Sequence, residues 1–369
     1  MTTHRIDTLA QLMQRTRLDA IVLNPGPGLL GLTGLQFHLM ERPTLFLVGR
    51  DGRAAMILSA LEEVKARDSL PGLTCYTYSD NPATWAEAIR AAFSAFDANI
   101  RVVGVESARM RHLELAFIQN ALPGVEVLSA DPQLSALRIH KDAQAIGQMQ
   151  QAVQIAERAF SETLHSIRPG MSERAVAGEL AANMLRFGSD AELPFPPIVA
   201  AGPNSANPHA VPSERVLQTG DLVVIDWGAA FGGYFSDLTR TLAIGKLDAE
   251  LYTIYDTVKA ANRAGREAGR PGVTCGAVDA AGRAVIAAAG YGPYFTHRIG
   301  HGLGLEAHEE PYMFGESTQL LKEGMVYTVE PGIYLPGKGG VRIEDDMAVT
   351  ETGAVSLSGL PRELITIPA

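Results

Sequence analysis

The chain of 369 residues contains only two cysteines, Cys75 and Cys275, too few and too far apart for a zinc-finger motif or a disulfide framework. That scarcity suits a reducing compartment. Positive charge is also short: 31 Lys and Arg against 41 Asp and Glu leave a formal charge of -10. Such a balance repels phosphate backbones and anionic lipid, which argues against a nucleic-acid-binding face. No apolar run approaches the ~18 residues of a membrane span. The opening Met1-Thr2-Thr3-His4-Arg5-Ile6-Asp7 lacks the apolar core of a signal peptide. The expectation is a soluble cytoplasmic protein. Core-forming material is plentiful: 46% of residues are hydrophobic and 20% charged, with a mean hydropathy of +0.05. General disorder is excluded, and the length predicts two domains.

The first part of the chain alternates short apolar strands (Ala20 to Leu23, Thr44 to Val48, Ala54 to Leu58, Thr74 to Tyr78, Arg101 to Val105, Val125 to Leu128) with helical patterns at Ile6 to Leu18, Ala83 to Phe96 and Met110 to Leu122. This reads as an α/β domain. Asp51-Gly52 between two strands signals a hairpin, so the sheet is expected to be mixed. A helix is expected over Lys141 to Ile167 and another after the N-cap Ser172. The domains are placed at 1–133 and 134–369. Beyond Pro194 the pattern becomes β-branched strands with Gly-rich turns and two more helices, near Asp248 to Ala268 and Ala277 to Ala289. Gly26-Pro27-Gly28-Leu29-Leu30-Gly31 fits a dinucleotide fingerprint, but its prolines and the absence of a following helix pattern make it a glycine-rich surface loop.

The second domain carries the chemistry. Leu222-Val223-Val224-Ile225-Asp226-Trp227 buries an acid in an apolar strand, which is costly without a compensating positive charge. Asp237 follows eleven residues later. A hairpin turn at Phe231-Gly232 sets Asp226 directly opposite Asp237, whereas a turn at Gly232-Gly233 shifts the register by two and keeps both on one face. Opposed like charges destabilise a sheet, so something must sit between them, unless a shared proton or Arg240 relieves the repulsion. The pattern recurs: Glu330 and Glu344 are centred on Gly337, so an odd loop there opposes them, with Arg342 as a possible neutralising neighbour. His297, His301 and His308 cluster among Gly300, Gly302 and Gly304, which argue for strand or loop rather than a helical H-x-x-x-H pair. Four carboxylates and one imidazole form a hard, oxygen-rich set that suits two Mn²⁺ or Co²⁺ ions better than a structural zinc. Two ions about 3.5 to 4 Å apart can share an activated hydroxide and polarise a carbonyl, the chemistry of metal-assisted hydrolysis.

These residues resemble the pita-bread metallopeptidases, in particular the proline dipeptidase (prolidase) and aminopeptidase P branch. The resemblance covers the second domain through Asp226, Asp237, the GHGLG around His301, HEEP at His308, VEPG at Glu330 and GVRIED at Glu344. Leu32-Thr33-Gly34 after the first strand is similar to a creatinase-type N-terminal domain. The resemblance implies an α/β N-terminal domain with a mixed sheet and flanking helices, joined to an α+β pita-bread catalytic domain. It implies two divalent ions per subunit, most often Mn²⁺ with Co²⁺ or Zn²⁺ as substitutes. Asp226 would chelate one, Asp237 and Glu344 would bridge both, and His301 and Glu330 would hold the second. Glu330 would also shuttle a proton. His209, His297, His308 and Arg342 match outer residues that bind substrate and stabilise the oxyanion, and Phe195 matches a wall of the proline pocket.

The implied activity is hydrolysis of the bond preceding proline in Xaa-Pro dipeptides or short peptides by a homodimer. An Xaa-Pro bond has no N–H and a fixed φ, so peptidases that grip an extended backbone handle it poorly. Two positions depart from the family pattern. Ala307 replaces a β-branched aliphatic, and Tyr312 stands where many proline dipeptidases carry an Arg that meets the substrate carboxylate. Two other readings remain open: a metal-free creatinase-like C–N hydrolase, and a non-catalytic peptide-binding pita-bread protein.

Overall fold

The computed structural model describes residues 2–369. The chain divides into two compact units, Met1–Arg138 and Ile139–Ala369. The first holds strands β1 (Ala20–Leu23), β2 (Leu45–Gly49), β3 (Ala54–Ser59), β4 (Thr74–Tyr78), β5 (Val102–Val105) and β6 (Glu126–Ser129). They form one sheet in the order β4-β3-β2-β1-β5-β6. The β1–β2 and β2–β3 pairs are antiparallel and the others parallel, so the sheet is mixed. Gly52, at φ 83°, closes the β2–β3 hairpin in a conformation that suits glycine.

Among the described residues six α-helices accompany the sheet: α1 (Thr2–Met13), α2 (Pro27–Thr33), α3 (Glu63–Ser69), α4 (Trp85–Phe96), α5 (His112–Ala121) and α6 (Asp131–Arg138). Alternate residues of each strand serve opposite faces. Ile21, Leu23, Phe46 and Val48 pack with Leu9, Met13 and Leu134 of α1 and α6, while Ala20, Val22, Leu45 and Leu47 pack with Ile89, Phe93 and Ile118 of α4 and α5. Because α6 packs on α1, it travels with the first unit, and the division falls after Arg138 rather than after residue 133.

The glycine-rich segment after β1 is not the expected surface loop. It forms α2, with Pro27 in the first turn, where no N–H is needed, and Gly34 closing it at φ 72°. Pro27, Gly28, Leu29, Leu32 and Thr33 are all buried. The Gly28 N–H donates to Glu106 at 3.3 Å. A carboxylate at this helix start occupies the position a nucleotide phosphate would need.

The second unit contains two helix pairs, α7 (Ala143–Leu164) with α8 (Glu173–Arg186) and α9 (Ala249–Ala268) with α10 (Cys275–Ala288). Asp142 caps α7 by accepting from the Ala145 N–H at 2.8 Å, and Ser172 caps α8 through the Ala175 N–H at 3.2 Å. Strands β7 (Ile198–Ala201), β8 (Leu222–Trp227), β9 (Ala230–Phe231), β10 (Tyr234–Phe235) and β11 (Leu238–Ile244) precede α9. After α10 come β12 (Gly300–Gly302), β13 (Glu309–Met313), β14 (Val326–Val329), β15 (Gly332–Leu335), β16 (Gly339–Arg342), β17 (Asp345–Val349), β18 (Ala354–Ser356) and β19 (Ile365–Ile367).

The first helix pair packs on a four-stranded sheet ordered β19-β11-β8-β7, and the second on a five-stranded sheet ordered β13-β12-β14-β17-β18. β9–β10 and β15–β16 are separate ribbons. This is the α+β pita-bread arrangement. Val223, Ile225 and Trp227 of β8 face the first helix pair, where Trp227 stacks on Phe160 at 4.4 Å and donates to the Ala156 carbonyl at 2.9 Å. Strand alternation then sends Asp226 to the opposite face. Among the described residues no helix is long and apolar enough to cross a membrane.

Candidate metal centre

The turn of the first hairpin is Gly232-Gly233, both at positive φ (59° and 80°). Asp226 therefore pairs with Thr239, not with Asp237. Of the two expected registers the shifted one is found, and Asp237, two residues before Thr239, keeps its place on the Asp226 face. The second acid pair is bracketed by Val329↔Asp345 on one side and Gly332↔Arg342 on the other. Glu330 and Glu344 thus oppose each other across a hairpin that turns at Gly337. β12 lies beside β14 and brings in His301. Its flanking glycines are required by close approach: a Cβ on Gly300 would overlap the Thr328 carbonyl oxygen, and one on Gly302 the Glu310 carbonyl.

All five expected ligands converge. Asp226, Asp237 and Glu344 offer oxygens within 4.8 Å of one another, as do the donor atoms of His301, Glu330 and Glu344. Glu344 belongs to both groups. His308 joins Asp237 and His301 in a third, closer to the cluster than an outer residue need be. His301 Nε2 lies 3.3 Å from Glu330 and 3.7 Å from Asp237.

Two of the acids, Asp226 and Glu344, have an incomplete set of partners among the described residues. Asp226 accepts from Arg342 Nη2 at 2.5 Å through Oδ2, and Glu344 accepts from Thr239 Oγ1 at 2.6 Å through Oε2. The other oxygen of each, Asp226 Oδ1 and Glu344 Oε1, is buried without a partner among the described residues. Orphaned carboxylate oxygens aimed into a cluster of acids fit divalent cations, and the oxygen-rich donor set suits them chemically. Burial and the surrounding carboxylates raise Asp237 and Glu344 well above the ordinary carboxylate range, and burial raises Asp226 in spite of Arg342. Glu330 is the exception. Burial pushes it upward, but His301 brings it down to about 2.

Around this core the outer residues are arranged unequally. Arg342 donates to Thr239 Oγ1 at 3.1 Å, to the Tyr334 hydroxyl at 3.0 Å and to the Pro208 carbonyl at 3.2 Å, besides its bond to Asp226. It does not pair with Glu344, and Arg240 does not relieve the acid pair either, since it binds Asp345 at 2.9 Å. His297 has both ring nitrogens engaged, Nδ1 with the Arg298 carbonyl at 2.7 Å and Nε2 with Tyr334 at 2.9 Å. Nδ1 facing a carbonyl must carry the proton, so Nε2 accepts from the phenol. Desolvation of its inner face, reinforced by His301, lowers His308 to about 4. His209 is exposed, next to the Pro208 that meets Arg342, and Phe195 is half-buried before β7. Tyr312 pairs opposite His301 and lies under the Arg298 guanidinium at 4.6 Å.

Sequence reading missed Thr239, Tyr334 and Thr328, whose hydroxyl accepts from the His301 N–H at 3.2 Å. Only Thr239 had a signal, its two-residue spacing from Asp237.

Fold and site together define a metal-dependent hydrolase with a carboxylate-rich divalent-cation centre. The chain belongs to metallopeptidase family M24, whose model matches residues 147–351, while the creatinase/prolidase N-terminal domain matches residues 5–140. It is 33% identical to the Xaa-Pro dipeptidase of Pyrococcus horikoshii over 364 residues, which span 98% of each protein. A crystal structure of a dipeptidase from Pyrococcus horikoshii OT3 is similar with a TM-score of 0.92 at 37% identity, covering 98% of this chain and 100% of that one. An Xaa-Pro dipeptidase from Bacillus anthracis is similar with a TM-score of 0.91 at 33% identity, over 100% of both chains.

Proposed function

We propose that the protein is an Xaa-Pro peptidase that hydrolyses the bond preceding proline in dipeptides or short peptides. The observation that carries this reading is the convergence of Asp226, Asp237, His301, Glu330 and Glu344, with two buried carboxylate oxygens that lack a partner among the described residues. The names of the full-length relatives support the substrate class. An intact ligand set argues against both the creatinase-like hydrolase and the non-catalytic binder, neither of which needs it.

Asp226, Asp237 and Glu344 would hold one ion, and His301 and Glu330, with the shared Asp237 and Glu344, the other. Mn²⁺ fits the hard donor set, with Co²⁺ or Zn²⁺ as substitutes. Bound there, two divalent ions supply a water ionised at neutral pH and Lewis-acid polarisation of the scissile carbonyl. Glu330 would take a proton onto a carboxylate oxygen and return it to the proline nitrogen as that nitrogen leaves. His308 and His209, on the exposed side, would meet substrate. Arg342 and His297 have their donors engaged within the protein, so we assign them to holding Asp226 and Tyr334 in place. Phe195 would wall the proline ring and Tyr312 would border the far end of the substrate. Two free cysteines accord with a reducing cytoplasm, and a homodimer is the assembly we expect from the resemblance.

The test is turnover by Mn²⁺-reconstituted protein of an Xaa-Pro dipeptide, an Xaa-Pro-Yaa tripeptide and an Xaa-Ala control. Activity on the proline substrates alone is expected. Equal turnover of the Xaa-Ala control refutes proline specificity, and the tripeptide separates dipeptidase from aminopeptidase.

A further inference from the structure

The ladder joining the strands of Glu330 and Glu344 is interrupted where those acids lie. β14–β17 pairing ends at Val329↔Asp345 and β15–β16 pairing resumes at Gly332↔Arg342. Pro331 in the gap has no N–H to offer the facing Ile343 carbonyl. The Glu330 N–H turns away to the Ile299 carbonyl at 2.7 Å, and the Glu344 N–H to that of Thr239 at 3.1 Å. The backbone ladder is thus broken at both acids, and the Ile343 carbonyl, facing Pro331, needs a donor from elsewhere.

One side chain supplies it and reaches the opposite strand as well. Asn262, fully buried on α9, shares its two Nδ2 hydrogens among the Val329 carbonyl at 3.1 Å, the Ile343 carbonyl at 3.2 Å and Asp345 Oδ2 at 3.0 Å. Its Oδ1 accepts from Arg266 Nε at 2.8 Å, which fixes the orientation of the amide. A single planar group thus ties Val329, the last paired residue before Glu330, to Ile343, the residue before Glu344, at the edge of the interruption in the ladder. We infer that Asn262 is a positioning residue that sets the span between Glu330 and Glu344 and thereby the affinity of the centre for its second cation. The inference rests on the two-ion reading given above.

The test is calorimetric titration of metal-free protein with Mn²⁺, with the visible spectrum of the Co²⁺ form as a second readout. Asn262→Leu removes the donors while keeping the branched four-atom side-chain skeleton. Asn183→Leu is the matched control, because Asn183 is buried on α8 and bonds Thr163 at 3.0 Å, away from the ligand strands. N262L should bind the first ion and weaken the second by about 10- to 100-fold, the usual effect of losing a group that orients a ligand, and should alter the Co²⁺ spectrum. N183L should lose thermal stability yet keep both affinities. If N262L does not fold, Asn262→Ser, which keeps one donor, takes its place with the same expectation. Two undiminished affinities in the Asn262 variant, or equal losses in the control, overturn the inference. Wild-type protein that binds fewer than two ions overturns the two-ion reading instead.

Discussion

Arg342 holds one oxygen of Asp226 at 2.5 Å and leaves the other, Oδ1, buried with no partner among the described residues. The guanidinium therefore orients the carboxylate without consuming the lone pairs a cation would use. Arg342→Lys keeps the charge but loses the fork that also reaches Thr239 and Tyr334. The variant should bind Mn²⁺ and turn over substrate about 10- to 100-fold less well. Unchanged metal affinity, measured by titration, would remove the orienting role.

Thr239 does the corresponding task for Glu344, donating its hydroxyl proton to Oε2 at 2.6 Å while accepting from Arg342 Nε. Thr239→Val is nearly isosteric and leaves a buried carboxylate oxygen and a guanidinium N–H unsatisfied. About a tenfold or greater loss in kcat/KM is expected, with metal affinity falling in parallel. A normal rate at saturating Mn²⁺ would show the hydroxyl to be dispensable.

Removing the metal should invert the pH dependence of stability. In the metal-free protein burial and neighbouring acids raise Asp237 and Glu344 well above the unfolded value of about 4. A raised carboxylate stabilises fully below that unfolded value, and the contribution is lost as pH rises through the folded one. Metal-free protein should therefore melt lower at pH 8 than at pH 5.5, the raised carboxylates outweighing His297 and His308, whose lowering acts in the opposite direction below about pH 6.5. Saturating Mn²⁺ binds the deprotonated ligands, so the loaded form should melt higher at pH 8. Asp345 does not enter this window: against the push of burial, Arg240 and Arg362 hold it at about 2, and its contribution is lost only in strong acid. Scanning calorimetry of both forms decides the matter, and Tm values that move in parallel with pH contradict it.

How much of this was legible in the sequence depends on what fixed each residue. Asp226 stood out because an acid inside Leu222–Trp227 has no ordinary explanation, and the Gly337 turn set the Glu330–Glu344 register by symmetry alone. The first hairpin was ambiguous because either Phe231-Gly232 or Gly232-Gly233 can form its turn. Two consecutive residues at positive φ decided it, a property of the backbone rather than of composition. The helix α2 was hidden because Pro27 and its glycines read as a loop, yet burial of Leu29 and Leu32 holds it in place. Asn262 and Tyr334 were out of reach. They act from α9 and β15 through tertiary approach, and nothing in their local spacing announces that.

The buried pair Lys141–Glu309 offers a test of how the HEEP segment is held. Lys141 Nζ meets Glu309 Oε1 at 2.6 Å with both side chains almost wholly excluded from solvent, and Glu309 Oε2 has no partner among the described residues. Glu309 follows His308 directly, so the pair anchors the strand that presents that histidine. Lys141→Met leaves a buried carboxylate uncompensated and should cost about 3–5 kcal/mol, because the lost attraction no longer offsets desolvation. Replacing both residues by apolar side chains, K141M with E309M, should recover most of that loss, since neither charge then requires solvation. Denaturant unfolding of the two single variants and the double variant gives the coupling directly. If the double variant is no more stable than K141M, the penalty comes from lost packing rather than from an isolated charge, and the ion pair is not what holds His308 in place.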